Sequence, residues 1–140
     1  MKNEVLALFR GACVESISLE SYGIVIQLTT ARLWVDSPWR LEREGSIFLG
    51  SGNLEEFLSH EDYASDYEDA EQEIRETLSG IISDALFHDY NEICLHFENG
   101  TLFRTFQNYG PDAENFQLTT SEGRFLVNPD GIEFERKRDS

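Results

Sequence analysis

Glu92 to Phe106 reads EICLHFENGTLFRTF, with Ile93, Leu95 and Phe97 on one side of Asn99-Gly100 and Leu102 and Phe103 on the other. Apolar side chains that recur every second residue mark a half-buried strand. Asn-Gly between two such runs predicts a two-residue type I′ turn, because that turn requires positive φ at both central positions and few residue pairs tolerate it. The stretch therefore reads as a β-hairpin, and the rest of the chain is placed relative to it.

A shift of 69 residues sets Gly11 on Gly80, Cys13 on Ile82, Ile17 on Leu86, Ile24 on Ile93, Ile26 on Leu95, Leu28 on Phe97, Leu33 on Leu102 and Trp34 on Phe103. An insertion around Tyr109 to Asn115 then moves the register. Beyond it Trp39-Arg40-Leu41 faces Phe116-Gln117-Leu118, and Glu44-Gly45 faces Glu122-Gly123. Two copies are too few for a solenoid. The expected fold is α+β: two tandem helix-plus-antiparallel-sheet units, residues 3–50 and 72–135, related by an approximate two-fold repeat and fused into one domain spanning 1–140.

Both units read alike. Asn3 is expected to cap a short helix whose Val5, Leu8 and Phe9 have helical spacing and which stops at Gly11, while Ile74 and Leu78 precede Gly80 in the second unit. Strands are expected at Val14 to Leu19, Gly23 to Thr29 and Arg32 to Val35, and again at Ala85 to His88, Glu92 to Phe97 and Thr101 to Phe106. Further hairpins run from Leu41 to Ile47 and from Phe116 to Val127. Asn128-Pro129-Asp130-Gly131 turns into a last strand, Ile132 to Glu135, and the tail from Arg136 to Ser140 is expected to fray.

Residues 53–79 differ from both units, with ten acidic residues against one Arg. Leu54, Phe57 and Leu58 form one apolar face, and Tyr63, Tyr67, Ala70, Ile74 and Leu78 form another. Spacing by three and four predicts an amphipathic helical connector in two pieces, joined near Ser59 to Asp62, with a densely negative outer face.

Composition limits the function. The 140 residues carry 27 Asp and Glu against 11 Lys and Arg, a formal net charge of -16, which disfavours nucleic acid and anionic membrane as partners. Val5 to Phe9 is too short an apolar run for a signal-peptide core or a membrane span, so a cytoplasmic protein is expected. Cys13 and Cys94 lie in apolar, strand-like surroundings without paired spacing and read as buried free thiols.

Candidates for chemistry are few. His60, His88 and His96 fall on the connector, a strand end and a strand, and Cys94 and His96 share a strand face without a third partner that would make a triad. Zinc spacings are absent. A calcium loop around Asp130-Gly131 would need an acid where Leu126 stands and a bidentate Glu where Lys137 stands. Gly50-Ser51-Gly52-Asn53 lacks the Lys-Ser/Thr ending of a phosphate loop and is followed at once by Glu55 and Glu56, so it reads as a flexible link with Ser51 or Asn53 as cap. Trp34 and Trp39 read as core or sheet-face aromatics, with a binding surface at Trp39-Arg40-Leu41 as the alternative. No catalytic, metal or cofactor-binding residue is assigned, and an enzyme is not expected.

Pro38-Trp39-Arg40-Leu41 with Gly45-Ser46, the stretch from Ile93 to Leu102, and Asn115-Phe116-Gln117-Leu118 together resemble a family of small bacterial proteins. Some of these look like immunity proteins encoded beside polymorphic toxins. The resemblance lies in strands and turns and brings no catalytic residue with it; it implies an immunity role. Combined with the charge, it leads to a cytosolic inhibitor that binds a basic protein, such as a nuclease toxin, as monomer or weak homodimer. The partner-binding residues on this reading are Glu55, Glu56, Glu61, Asp62, Tyr63, Asp66, Tyr67, Glu68 and Asp69. The alternatives are a nucleic-acid mimic that inhibits a host regulator and a small-molecule-binding regulatory module with its pocket between the units.

Overall fold

The computed structural model describes residues 1–20, 23–58, 62, 64–107 and 114–138. Helix α1 is Lys2–Phe9, followed by strands β1 Val14–Glu20, β2 Gly23–Leu28, β3 Arg32–Val35, β4 Trp39–Arg43 and β5 Ser46–Gly50. Helices α2 Ser51–Leu58 and α3 Ala64–Thr77 come next. The chain ends with β6 Ile82–Phe87, β7 Ile93–Phe97, β8 Thr101–Thr105, β9 Phe116–Thr119, β10 Gly123–Asn128 and β11 Gly131–Arg136. The fold class is α+β, as the sequence led one to expect.

All strand pairs are antiparallel, and they form two sheets: a six-stranded one in the order β1-β2-β3-β9-β10-β11 and a five-stranded one in the order β5-β4-β8-β7-β6. Each sheet takes three strands from one part of the chain and completes itself with strands from the other. Successive side chains point to opposite faces of each sheet, as strand geometry demands. Ile17, Ile26, Leu33, Leu118 and Phe125 stand side by side across the six-stranded sheet, and Leu41, Phe103, Leu95 and Ala85 across the other. All nine belong to one buried cluster, so the two sheets share a core. Helix α1 closes that core with Phe9, which meets Phe116 edge-on at 6.1 Å, and Phe87 stacks on Phe116 at 6.4 Å.

Several local expectations need correction. Asn99 does not take positive φ; Gly100 alone does, at 89°, and its N–H donates to Phe97 O at 3.0 Å. The Asn99 side chain is the reason: Oδ1 accepts from Thr101 N and Nδ2 donates to Thr77 O, tying the turn to the end of α3. Consecutive positive φ occurs instead at Glu44-Gly45, at 53° and 78°, and at Tyr90-Asn91, at 60° and 57°. Asn3 lies inside α1, whose N-cap is Met1 with no side-chain cap bond. The segment Gly50 to Asn53 is no flexible link either. Gly50 ends β5 and Ser51 begins α2, with Asn53 Oδ1 accepting from Gly50 N and Ser51 Oγ accepting from Trp39 N. Lys137 N donates to Glu122 O, so the tail stays attached to the sheet through that residue.

Ile26 pairs with Ile17 as Leu95 pairs with Ala85, and Ile26 pairs with Leu33 as Leu95 pairs with Phe103. Leu86 and Trp34 are 41% and 37% exposed, Trp34 as a sheet-face aromatic. β1 and β6 each shift register just after their first residue, an irregularity at the start of both strands.

Two sheet edges are guarded by arginines. Arg75, from α3, donates to Ile17 O on β1, and Arg10 bonds both Asp84 Oδ1 and Ala85 O on β6. Occupying edge carbonyls in this way blocks further strand pairing. Among the described residues no helix is long and apolar enough to cross a membrane.

Candidate functional site

Helix α3 carries the site because its sequence has only enough apolar residues for one face. Ala70, Ile74, Thr77 and Leu78 are buried, and Tyr67 and Glu71 are half-buried beside them. Asp66, Glu68, Asp69, Gln72, Glu73 and Glu76 are exposed. At about 100° per residue, Asp66, Asp69, Glu73 and Glu76 fall within an arc of roughly 80° on the solvent side, spaced by three, four and three. Neighbouring carboxylates in such a stripe are about 5–6 Å apart at Cβ.

Arg43 shares a shallow cleft with Glu73 and Thr77 at one flank of this stripe. Arg75, the one Arg of α3, pairs with Glu71 at 2.6 Å and reaches Ile17 O, both toward the packed side of the helix. Glu76 accepts a hydrogen bond from Gln72 Nε2 at 2.8 Å, a contact that leaves its charge intact.

Of the residues expected from sequence to bind a partner, Asp66 and Asp69 lie in the stripe, and Glu68 is exposed about a quarter turn away from Asp69. Glu55 and Glu56 are exposed on α2, whose Leu54 is buried, and Asp62 is exposed between the helices. Glu61 and Tyr63 lie outside the described residues. Tyr67 is half-buried and packs against the core, where burial and then Glu71 raise its pKa while Arg75 lowers it. Glu73 and Glu76 were missing from that set although helical spacing links them directly to Asp66 and Asp69.

No match to this chain is found among family models, curated proteins or solved structures. The site must be judged on its chemistry.

Elsewhere the reactive side chains stand apart. Cys94 is buried, and burial raises its pKa above the ordinary thiol value, with Glu42 adding to the rise and Arg104 and Arg40 opposing it. Its Sγ lies 3.7 Å from His96 Nε2, so the two share a strand face as expected. A buried protonated thiol is a poor nucleophile. Cys13 is half-buried and also free. Among the described residues no group of three or more His, Cys, Asp or Glu is placed to hold a metal ion. A cleft of about 510 Å³ runs between α1 and the β9–β11 region, with Leu8, Phe125 and Phe134 as its apolar lining and Glu4 and Glu122 at its edge.

Proposed function

We propose that the protein works by binding rather than catalysis: it is an immunity or inhibitor protein that docks the acidic stripe of α3 into the cationic cleft of a basic partner, such as a nuclease toxin. The observation that carries this is the alignment of Asp66, Asp69, Glu73 and Glu76 on one solvent face while Arg75 is engaged with Glu71 and Ile17 O. Protein that binds nucleic acid must present positive potential, and an opposed stripe of carboxylates both accelerates encounter and covers the cleft. Glu55, Glu56 and Asp62 extend the negative surface toward α2.

The test is inhibition of the polypeptide encoded by the adjacent gene. Stoichiometric inhibition that is lost when Asp66, Asp69, Glu73 and Glu76 are changed to Lys supports the reading. Equal inhibition by wild type and variant, or none by wild type, removes it. Competition with DNA for a host regulator instead would favour a nucleic-acid mimic, for which the same carboxylate spacing would serve.

We further infer that residues 3–50 and 72–135 descend from one duplicated unit joined by the acidic connector. In support, β1-β2-β3 and β6-β7-β8 have the same pairing order, and Gly11 and Gly80 share φ of 82°. Thr30 Oγ1 bonds Leu8 O just as Asn99 Nδ2 bonds Thr77 O.

A further inference from the structure

Away from α3, the solvent side of the five-stranded sheet holds an arrangement that charge balance disfavours. Arg40 on β4 stands directly opposite Arg104 on β8. Like charges in directly opposed positions destabilise a sheet. Both guanidiniums nevertheless lie over one ring, Arg40 Cζ at 4.7 Å and Arg104 Cζ at 5.6 Å from the centroid of Phe106. The carboxylate between them is Glu42, whose Oε2 is 3.2 Å from Arg40 Nε and 3.9 Å from Arg104 Nε.

That carboxylate does not satisfy the pair. Both Nε atoms and Glu42 Oε2 are buried without an aligned hydrogen bond, while both guanidinium carbons lie over the Phe106 ring. Buried polar atoms left so are uncommon and call for an explanation. Among the described residues, two cations against one anion also leave a local positive surplus on a chain with net charge -16. The side chains are 31% and 29% exposed, so their outer edges reach solvent. Gly50, opposite Arg40 on β5, has no side chain to cover that flank, and a Cβ there would meet Arg40 Cβ at 3.2 Å. On the other flank Arg104 faces Cys94, with His96 two residues along.

We propose that this face is an oxoanion site, in which Arg40 and Arg104, backed by Phe106, take up the phosphate or carboxylate group of a small ligand. Arginine suits the task because its planar fork of donors matches such groups, and an incoming anion supplies the charge that Glu42 alone lacks. The site is independent of the α3 stripe and of any protein partner there.

The experiment is an NMR titration of the arginine Nε–H resonances with inorganic phosphate and, separately, with succinate, at constant ionic strength. Expected is a saturable movement of Arg40 and Arg104 that Arg32 and Arg136 do not share, with the better probe telling phosphate from carboxylate chemistry. Arg104→Lys keeps the charge but loses the fork and should weaken binding by roughly tenfold. Glu42→Gln removes the competing carboxylate and should tighten it several-fold, and amide dispersion reports whether each variant is folded. Linear movement common to all arginines, or unchanged affinity in both folded variants, would overturn the proposal.

Discussion

Replacing Glu76 by Lys should make the protein more stable while weakening its recognition surface. Glu76 sits in the last turn of α3, where the helix dipole is negative, and three residues after Glu73. Its carboxylate is therefore unfavourably placed twice. A lysine turns repulsion from Glu73 into attraction, a change of about 0.5 kcal/mol for such a pair, and reverses the dipole interaction, a change of about 0.5–1 kcal/mol at an exposed site. Against this stands the hydrogen bond from Gln72 Nε2, worth about 0.3 kcal/mol. The Ser79 bond is to the Glu76 carbonyl and survives. The net expectation is a gain of about 1 kcal/mol, or roughly 3–4 °C in Tm for a chain of this size. Urea and thermal unfolding at low salt would measure it, and at about 0.5 M salt, with the Debye length down to about 4 Å, most of the gain should vanish. A salt-independent change, or a loss of stability, would mean that the charges of this face are not coupled and would refute the reasoning.

Other expectations are more local. Phe116→Ala should cost about 3–5 kcal/mol, because the ring is fully buried between Phe9 and Phe87 and ties α1 to both sheets; chemical denaturation measures it. Gly52→Ala should stabilise α2 by about 0.5–1 kcal/mol, since its Cβ meets nothing within 4 Å. Gly50→Ala should destabilise, because a Cβ would lie 2.8 Å from Trp39 O; paired melting curves should shift in opposite directions. Burial raises the folded pKa of Cys94 above its unfolded value, so the stability it contributes is present below the unfolded value and is lost as pH rises through the folded one. In the native protein, Cys94 should therefore alkylate more slowly than half-buried Cys13 under alkaline conditions, a difference that unfolding abolishes.

Strands and helices were largely legible because apolar spacing reports burial, and burial decides these elements: Ile93, Leu95 and Phe97 are all in the core, as their alternation required. Turn geometry was less legible. Asn99-Gly100 carries the stronger type I′ signature, yet positive φ at both centres occurs at Glu44-Gly45, since the Asn99 side chain is committed to Thr77 and Thr101. Which strands cross to which sheet could not be read at all, because the β3–β9 and β4–β8 pairings are long-range and leave no local pattern. For the site, helical periodicity placed Asp66 and Asp69 outside but would equally have named Glu73 and Glu76. Tyr67 is half-buried and packs against the core, as an aromatic residue at helical spacing often does. The opposed pair Arg40 and Arg104 was invisible for the same reason as the sheet order: the two residues are neighbours only through β4 and β8.

The most direct measurement is the salt dependence of the association rate between this protein and the product of its adjacent gene. For the wild type the rate should start near 10⁸ M⁻¹s⁻¹ at low salt and fall by about a hundredfold toward high salt. With Asp66, Asp69, Glu73 and Glu76 changed to Lys it should be slow throughout and nearly flat. Rates for the two proteins that coincide at every ionic strength would contradict recognition through α3.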